Sequence, residues 1–179
     1  PLGDIFAIQD EIAATVVEQL KGTLLVVVPQ VQETDPEAYA LYLQARHLGR
    51  QITTEALEQS ISLYQQVLAI DPGYAAAWDG LASNYINQAY KGLRRSEQGY
   101  TLAREAANKA LAVEPEYAGA HARLGWIAMF YDNDLAQAAR HFEHALKLDA
   151  NNIQIIGNAA VLLRVLGRVD EAIALEERI

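Results

Sequence analysis

Trp78-Asp79-Gly80-Leu81-Ala82-Ser83-Asn84-Tyr85 begins six positions after Asp71-Pro72, and it constrains the fold of this chain more than any other stretch. A large aromatic, a leucine with a small neighbour and a second aromatic follow at steps of three, one and three, the spacing of one helix face. Partial copies lie on both sides. Leu124-Gly125 with Ala138, Phe142 and Ala145 form one, and Ala159, Ala160, Leu163 and Ala172 another. Tyr42, Ala45, Ile61, Tyr64 and Val67 form the most diverged. Each unit but the last is closed by a short anchor: Ile-Asp-Pro at 70–72, Val-Glu-Pro at 113–115 and Leu-Asp-Ala at 148–150. A proline there ends one helix, because it cannot sit in a helix interior, and starts the next, where its missing N–H is not needed.

The spacing of the anchors tests the repeat. Pro36 to Pro72 is 36 residues, Pro72 to Pro115 is 43, and Pro115 to Ala150 is 35. The pattern W-x2-L-G-x2-Y, then A-x3-F and a closing proline, resembles the tetratricopeptide repeat, a helix pair of about 34 residues. That resemblance implies an all-α, right-handed superhelical solenoid of about four helix pairs. It also implies a surface for binding protein or peptide rather than a catalytic centre. The second unit carries about nine extra residues. They fall around 88–99, where Gly92 and Gly99 punctuate, and either lengthen both helices or form a protruding loop.

The helix pairs are expected near 37–49 and 54–70, 74–91 and 96–113, 117–131 and 135–148, and 152–166 and 169–179. Residues 1–34 read as an N-terminal helix and linker, and 35–179 as the array, divided at about 35–72, 73–115, 116–150 and 151–179. Asp4 can cap a helix over 4–21 whose stripe is Ile5, Ile8, Ile12, Val16 and Leu20, with Gly22 as a stop. The run Leu24-Leu25-Val26-Val27-Val28 is either an extended segment or a buried helix end. Pro1-Leu2-Gly3 reads as a linker or a cloning remnant. Ala172, Ile173 and Leu175 end the array without a polar capping helix. That predicts a piece of a longer protein, or a second copy covering the end.

Composition narrows the function classes. Net charge is −9, which argues against nucleic acid, whose phosphates need Lys and Arg. Lys91, Arg94 and Arg95 form the one dense basic spot and are read as a solvated loop. There is no cysteine, so disulfides and thiolate metal sites are excluded, and a reducing cytoplasm is the expected location. No run approaches the ~20 apolar residues that span a bilayer, and residues 5–20 alternate apolar with charged positions instead of forming a signal peptide.

A second resemblance rests on Asp4-Ile5-Phe6-Ala7-Ile8-Gln9-Asp10-Glu11-Ile12-Ala13, Pro36 to Leu43, and Ala120-His121-Ala122-Arg123-Leu124-Gly125-Trp126 with Tyr131-Asp132. These stretches are similar to the C-terminal region of bacterial multidomain signalling proteins, the class III adenylate/guanylate cyclases and winged-helix regulators. The resemblance implies an output domain N-terminal to this region. It carries over no metal-binding or nucleotide-reading residue, since those belong to that other domain.

Candidate chemistry is sparse. His141 and His144 stand at i and i+3 and are read as facing solvent, with His121 on the preceding helix as the one conceivable third ligand. Glu176-Glu177 and Glu55 with Glu58 fit helix-surface decoration. No nucleophile elbow, phosphate loop or zinc-protease motif is present. No catalytic residue, cofactor or metal is therefore expected. In this fold positions two, five, nine and twelve of each first helix line the concave groove. They are Ala40, Leu43 and His47; Ala76, Asp79, Ser83 and Ile86; Gly119, Ala122, Trp126 and Met129; and Gln154, Gly157, Val161 and Arg164. The Lys/Asn clamp of chaperone-tail binders is missing at these positions. The partner-binding set is thus His47, Asp79, Ser83, Ile86, Trp126, Met129, Gln154 and Arg164, with Trp126 open between groove and inter-repeat packing. The expected function is a protein- or peptide-binding module of a larger signalling protein. The alternative is a self-association module that dimerises its parent.

Overall fold

The computed structural model describes residues 35–177. The expected helix over 4–21, the run 24–28, the linker up to residue 34 and positions 178–179 lie outside the described residues. Within them are eight helices and no strand: α1 (Pro36–Gly49), α2 (Thr54–Ile70), α3 (Ala75–Tyr90), α4 (Ser96–Val113), α5 (Ala118–Phe130), α6 (Leu135–Leu148), α7 (Ile153–Val165) and α8 (Val169–Glu176). All but the last match the expected bounds to within one residue at each end.

Local chemistry explains the punctuation. The Asp35 carboxylate accepts from the N–H of Glu37 at 2.8 Å and of Ala38 at 3.4 Å, with Pro36 in the first turn. Thr53, Asp134 and Asn152 cap α2, α6 and α7 in the same way. Asp71, Glu114 and Asp149 end the second helices in one extended conformation, with φ/ψ of −129/90, −133/94 and −143/83°. In each, the N–H donates back to the last turn. Each carbonyl then accepts from the residue three positions on, Tyr74, Tyr117 or Asn152. Ala150 follows the third of these where proline follows the other two, so the repeat lies in the cap geometry and proline only reinforces it. Trp78 serves the same joint: its indole N–H donates to the Pro72 carbonyl at 3.0 Å.

Helices pack as the pairs α1–α2, α3–α4, α5–α6 and α7–α8. The first helices α1, α3, α5 and α7 touch in succession, and each second helix also packs on the next first helix. That is the tetratricopeptide solenoid, with the first helices along one face. Small residues let the helices approach. Gly80 passes under Tyr64, where a Cβ would sit 2.2 Å from the ring, and Gly125 passes under Phe142, where it would sit 2.9 Å away. Ala138, Phe142 and Ala145, spaced four and three apart, are all buried, and the Phe142 side chain is worth about 1.5–3 kcal/mol of burial.

The extra residues of the second unit lengthen both of its helices. α3 and α4 have 16 and 18 residues against 13 and 14 in α5 and α6. A short turn joins them, with Gly92 at φ +70°. Arg94 of the expected basic spot is structural: its Nε donates to Gln88 Oε1 at 2.7 Å, and its guanidinium lies over the Tyr85 ring. Lys91 and Arg95 are exposed.

Candidate interaction groove

One polar chain runs across the first-helix face. Arg123 on α5 donates through Nε to Asp79 Oδ1 at 3.0 Å and through Nη2 to Asp79 Oδ2 at 3.4 Å. The same Nη2 also reaches Gln154 Oε1 at 3.2 Å. Three successive first helices, α3, α5 and α7, thus contribute one side chain each. Arg123 and Asp79 are 13% and 15% exposed, so the pair is mostly out of water, and loss of either partner would leave the other's charge uncompensated. Burial works against the charge on Arg123. The Asp79 carboxylate and its hydrogen bond more than offset this, and the guanidinium pKa stands above its ordinary value.

Two cavities flank this chain. One, about 360 Å³, is lined by Tyr42, Arg46, Arg50, Tyr64, Ser83 and Asn87 among others, with Asp79, Arg123 and Gln154 at its edge. The other, about 530 Å³, lies beyond Arg123 and is walled by Glu114, Glu116, Tyr117 and Asp149. The first side is therefore rich in arginine and the second in carboxylates. Burial, with the Tyr42 hydroxyl and Asp79 nearby, pushes the Tyr64 hydroxyl well above its usual pKa. Burial, with Asp79 and Tyr42, does the same to Tyr117. Both hydroxyls thus stay protonated and able to donate.

Below the arginine-rich cavity, Ser60 Oγ donates to the Ala45 carbonyl at 2.6 Å and accepts from Asn84 Nδ2 at 2.7 Å. This buried link ties α1, α2 and α3 beneath the cavity floor. At its rim Ile52 holds φ +53°, a left-handed conformation that costs a β-branched residue about 1–2 kcal/mol.

The expected groove residues separate on this geometry. Asp79, Ser83 and Gln154 line the cavities. Ile86 and Met129 do not: at 6% and 4% exposed they belong to the core, whereas Ala122, at 2%, still borders the carboxylate-walled cavity. Ala76 and Gly119 line the cavities as well, so small positions and polar groups share the first-helix face. Trp126 packs against both hydrophobic clusters, its ring 4.3 Å from Phe130 and 6.5 Å from Tyr90, and its buried indole N–H has no partner among the described residues. It sits between the two halves of the core. His47 is exposed on α1 and lines neither cavity. Arg164 forms a two-point ion pair with Glu176, joining α7 to α8. The residues missed were Arg46, Arg50, Asn87 and above all Arg123. A signal for Arg123 existed: it lies 44 residues after Asp79, one more than the 43 between Pro72 and Pro115, so opposite charges occupy near-equivalent places in adjacent repeats.

The histidines also come together. His121 Nδ1 lies 3.5 Å from His141 Nδ1, and the His121 and His144 rings are 4.3 Å apart.

The pairing and succession of the helices are those of the tetratricopeptide-repeat fold. Solved structures agree on the fold. A thermophilic TPR protein of Thermus thermophilus, TTC0263, superposes with a TM-score of 0.67 at 23% identity, covering 96% of this chain and 82% of that one. The first TPR of Spaghetti (RPAP3), bound to an HSP90 peptide, gives 0.59 at 20% identity over 75% of this chain and 98% of its own. The Sgt2 TPR domain of Aspergillus fumigatus gives 0.59 at 21% over 80% of this chain and 87% of its own. In sequence the chain is similar to the Rhizobium meliloti (strain 1021) protein named "Putative adenylate cyclase 3", 36% identical over 95 residues. That match takes 49% of this chain and 16% of the relative's length. No family model matches the chain. No helix among the described residues is long and apolar enough to cross a membrane.

Proposed function

We propose that this chain is a non-catalytic interaction module that receives an extended peptide along its first-helix face. The observation that carries the proposal is the arginine-rich cavity beside the Asp79–Arg123–Gln154 chain. Arg46 and Arg50 stand one helical turn apart there, and among the described residues no carboxylate lies within ion-pair distance of either, in a chain whose net charge is −9. Charge complementarity then favours a partner segment with Asp or Glu toward α1, its backbone meeting Asn87 and Gln154. The likeness to the rhizobial cyclase supports a place in a larger bacterial signalling protein, in the cytoplasm, where the array would couple partner binding to an output domain.

The test is selection of binders from a random peptide display library, followed by fluorescence polarisation of the enriched peptides. Acidic peptides are expected, and Arg46→Glu/Arg50→Glu weakens them at least tenfold while the outward Arg140→Glu does not. Equal binding by both variants would remove the groove assignment.

Self-association is the second reading. It is favoured by the exposed Val165, Val169 and Ile173 of the last pair, at 54%, 49% and 46%. Sedimentation at increasing concentration tests it, and a monomer throughout counts against it.

A further inference from the structure

Three of the four histidines of the chain gather on the α5–α6 pair, away from the groove residues. His121 projects from α5, and His141 and His144 from successive turns of α6. We propose that His121 and His141 form a two-imidazole seat for a late first-row divalent metal ion, with His144 beside it and water completing the shell.

The geometry fits a shared ion. Imidazole nitrogens bind zinc at about 2.0–2.1 Å. Two donors 3.5 Å apart both reach such an ion at an N–metal–N angle of about 113–122°, somewhat wider than tetrahedral. The ring of His121 is already oriented for it. Its Nε2 lies 3.3 Å from the Pro115 carbonyl. The tautomer this contact selects carries the proton on Nε2 and leaves the Nδ1 lone pair facing His141. A backbone carbonyl holding the far N–H is the usual support of a metal-bound histidine.

Protonation state agrees. Burial lowers the pKa of His121, against the Pro115 hydrogen bond and with help from His144. Burial also lowers that of His141, with His121, Arg140, His144 and Arg104 adding to the effect. Neutral rings are the metal-binding form. The two arginines oppose a dication, although the Arg104 charge is drawn to Asp132, which accepts two hydrogen bonds from its Nη2 at 2.8 and 2.9 Å. Among the described residues no three side chains of ligating type stand ready as a closed set. The seat is therefore of the open, two-ligand kind, and its affinity follows the general order for nitrogen ligands, copper(II) above nickel(II) and zinc(II).

The test is isothermal titration of the tag-free chain with copper, nickel, zinc and magnesium chlorides at pH 7.5. One equivalent of copper is expected to bind, zinc and nickel more weakly, and magnesium not at all. His121→Ala and His141→Gln should each weaken copper at least tenfold, and circular dichroism checks that both stay folded. His47→Ala, at the surface histidine of α1, should leave binding unchanged. Absence of copper binding, or copper binding that survives both substitutions, or that falls equally with His47→Ala, would overturn the site.

Discussion

The two hydrophobic clusters of the array are filled differently. The cluster spanning α1 to α5 is built on tyrosines, with Tyr64, Tyr74, Tyr85 and Tyr100 all buried. Beside them lie three buried polar side chains, Ser60, Asn84 and Gln88. The cluster from α5 to α8 is built on Phe142, Ile155 and Leu162. Its polar feature is the unpartnered indole N–H of Trp126, shared with the first cluster. Tyrosine has an apolar ring and a polar tip, so a tyrosine core can present hydroxyls to a surface while packing behind it. Tyr64 does this: its ring covers Gly80 and it also lines the arginine-rich cavity. The arginine-rich cavity therefore shares its wall with the first cluster, while the carboxylate-walled one meets the second through Ala118, Ala122 and Ile155.

If that difference holds, substitutions should divide by cluster. The largest effect is expected from Phe142→Ala, which empties the centre of the second cluster and should cost about 3–5 kcal/mol in denaturant unfolding. It should leave peptide binding at the first end of the groove little changed in the folded fraction. Asn84→Ala removes the donor to Ser60 under the cavity and should cost about 1–3 kcal/mol. Unlike Phe142→Ala, it should also weaken peptide binding; a loss of stability with binding untouched would separate the groove from the first cluster. Gly80→Ala forces a methyl onto the Tyr64 ring and Gly125→Ala onto the Phe142 ring. Overpacking costs about 1–3 kcal/mol and the gain in helix propensity returns up to about 1. The closer contact at Gly80 makes it the worse of the two, by about 1 kcal/mol in a paired thermal or urea melt. The smallest effect belongs to Trp126→Phe. It loses contact area but also removes the unpartnered N–H, so stability should stay within about 1 kcal/mol of wild type.

The helices were legible because their signals are local. Thr53, Asp134 and Asn152 cap with their own side chains, as Asp35 does before Pro36, and Asp71 and Glu114 stop helices before prolines. The groove was less legible because it depends on how far each helix is rotated about its own axis. One residue turns a side chain by about 100°. In α5 that step exchanges Ala122, which is buried, for Arg123, which carries the polar chain. The same rotation takes Ile86 and Met129 into the core. The convergence of His121 on His141 was illegible for a related reason, since it depends on the approach of two helices and not on a spacing within either.

The long helices of the second repeat have a further consequence. An array of equal rungs would present a bound strand with the same contacts at every repeat, and the strand could slide by one unit at no cost. α3 is three residues longer than α5, about 4.5 Å at the usual helical rise, and carries Tyr90 at its tip against Phe130. That step breaks the translational symmetry of the ladder. For a partner bound as proposed, it would supply an origin from which positions along the strand can be counted.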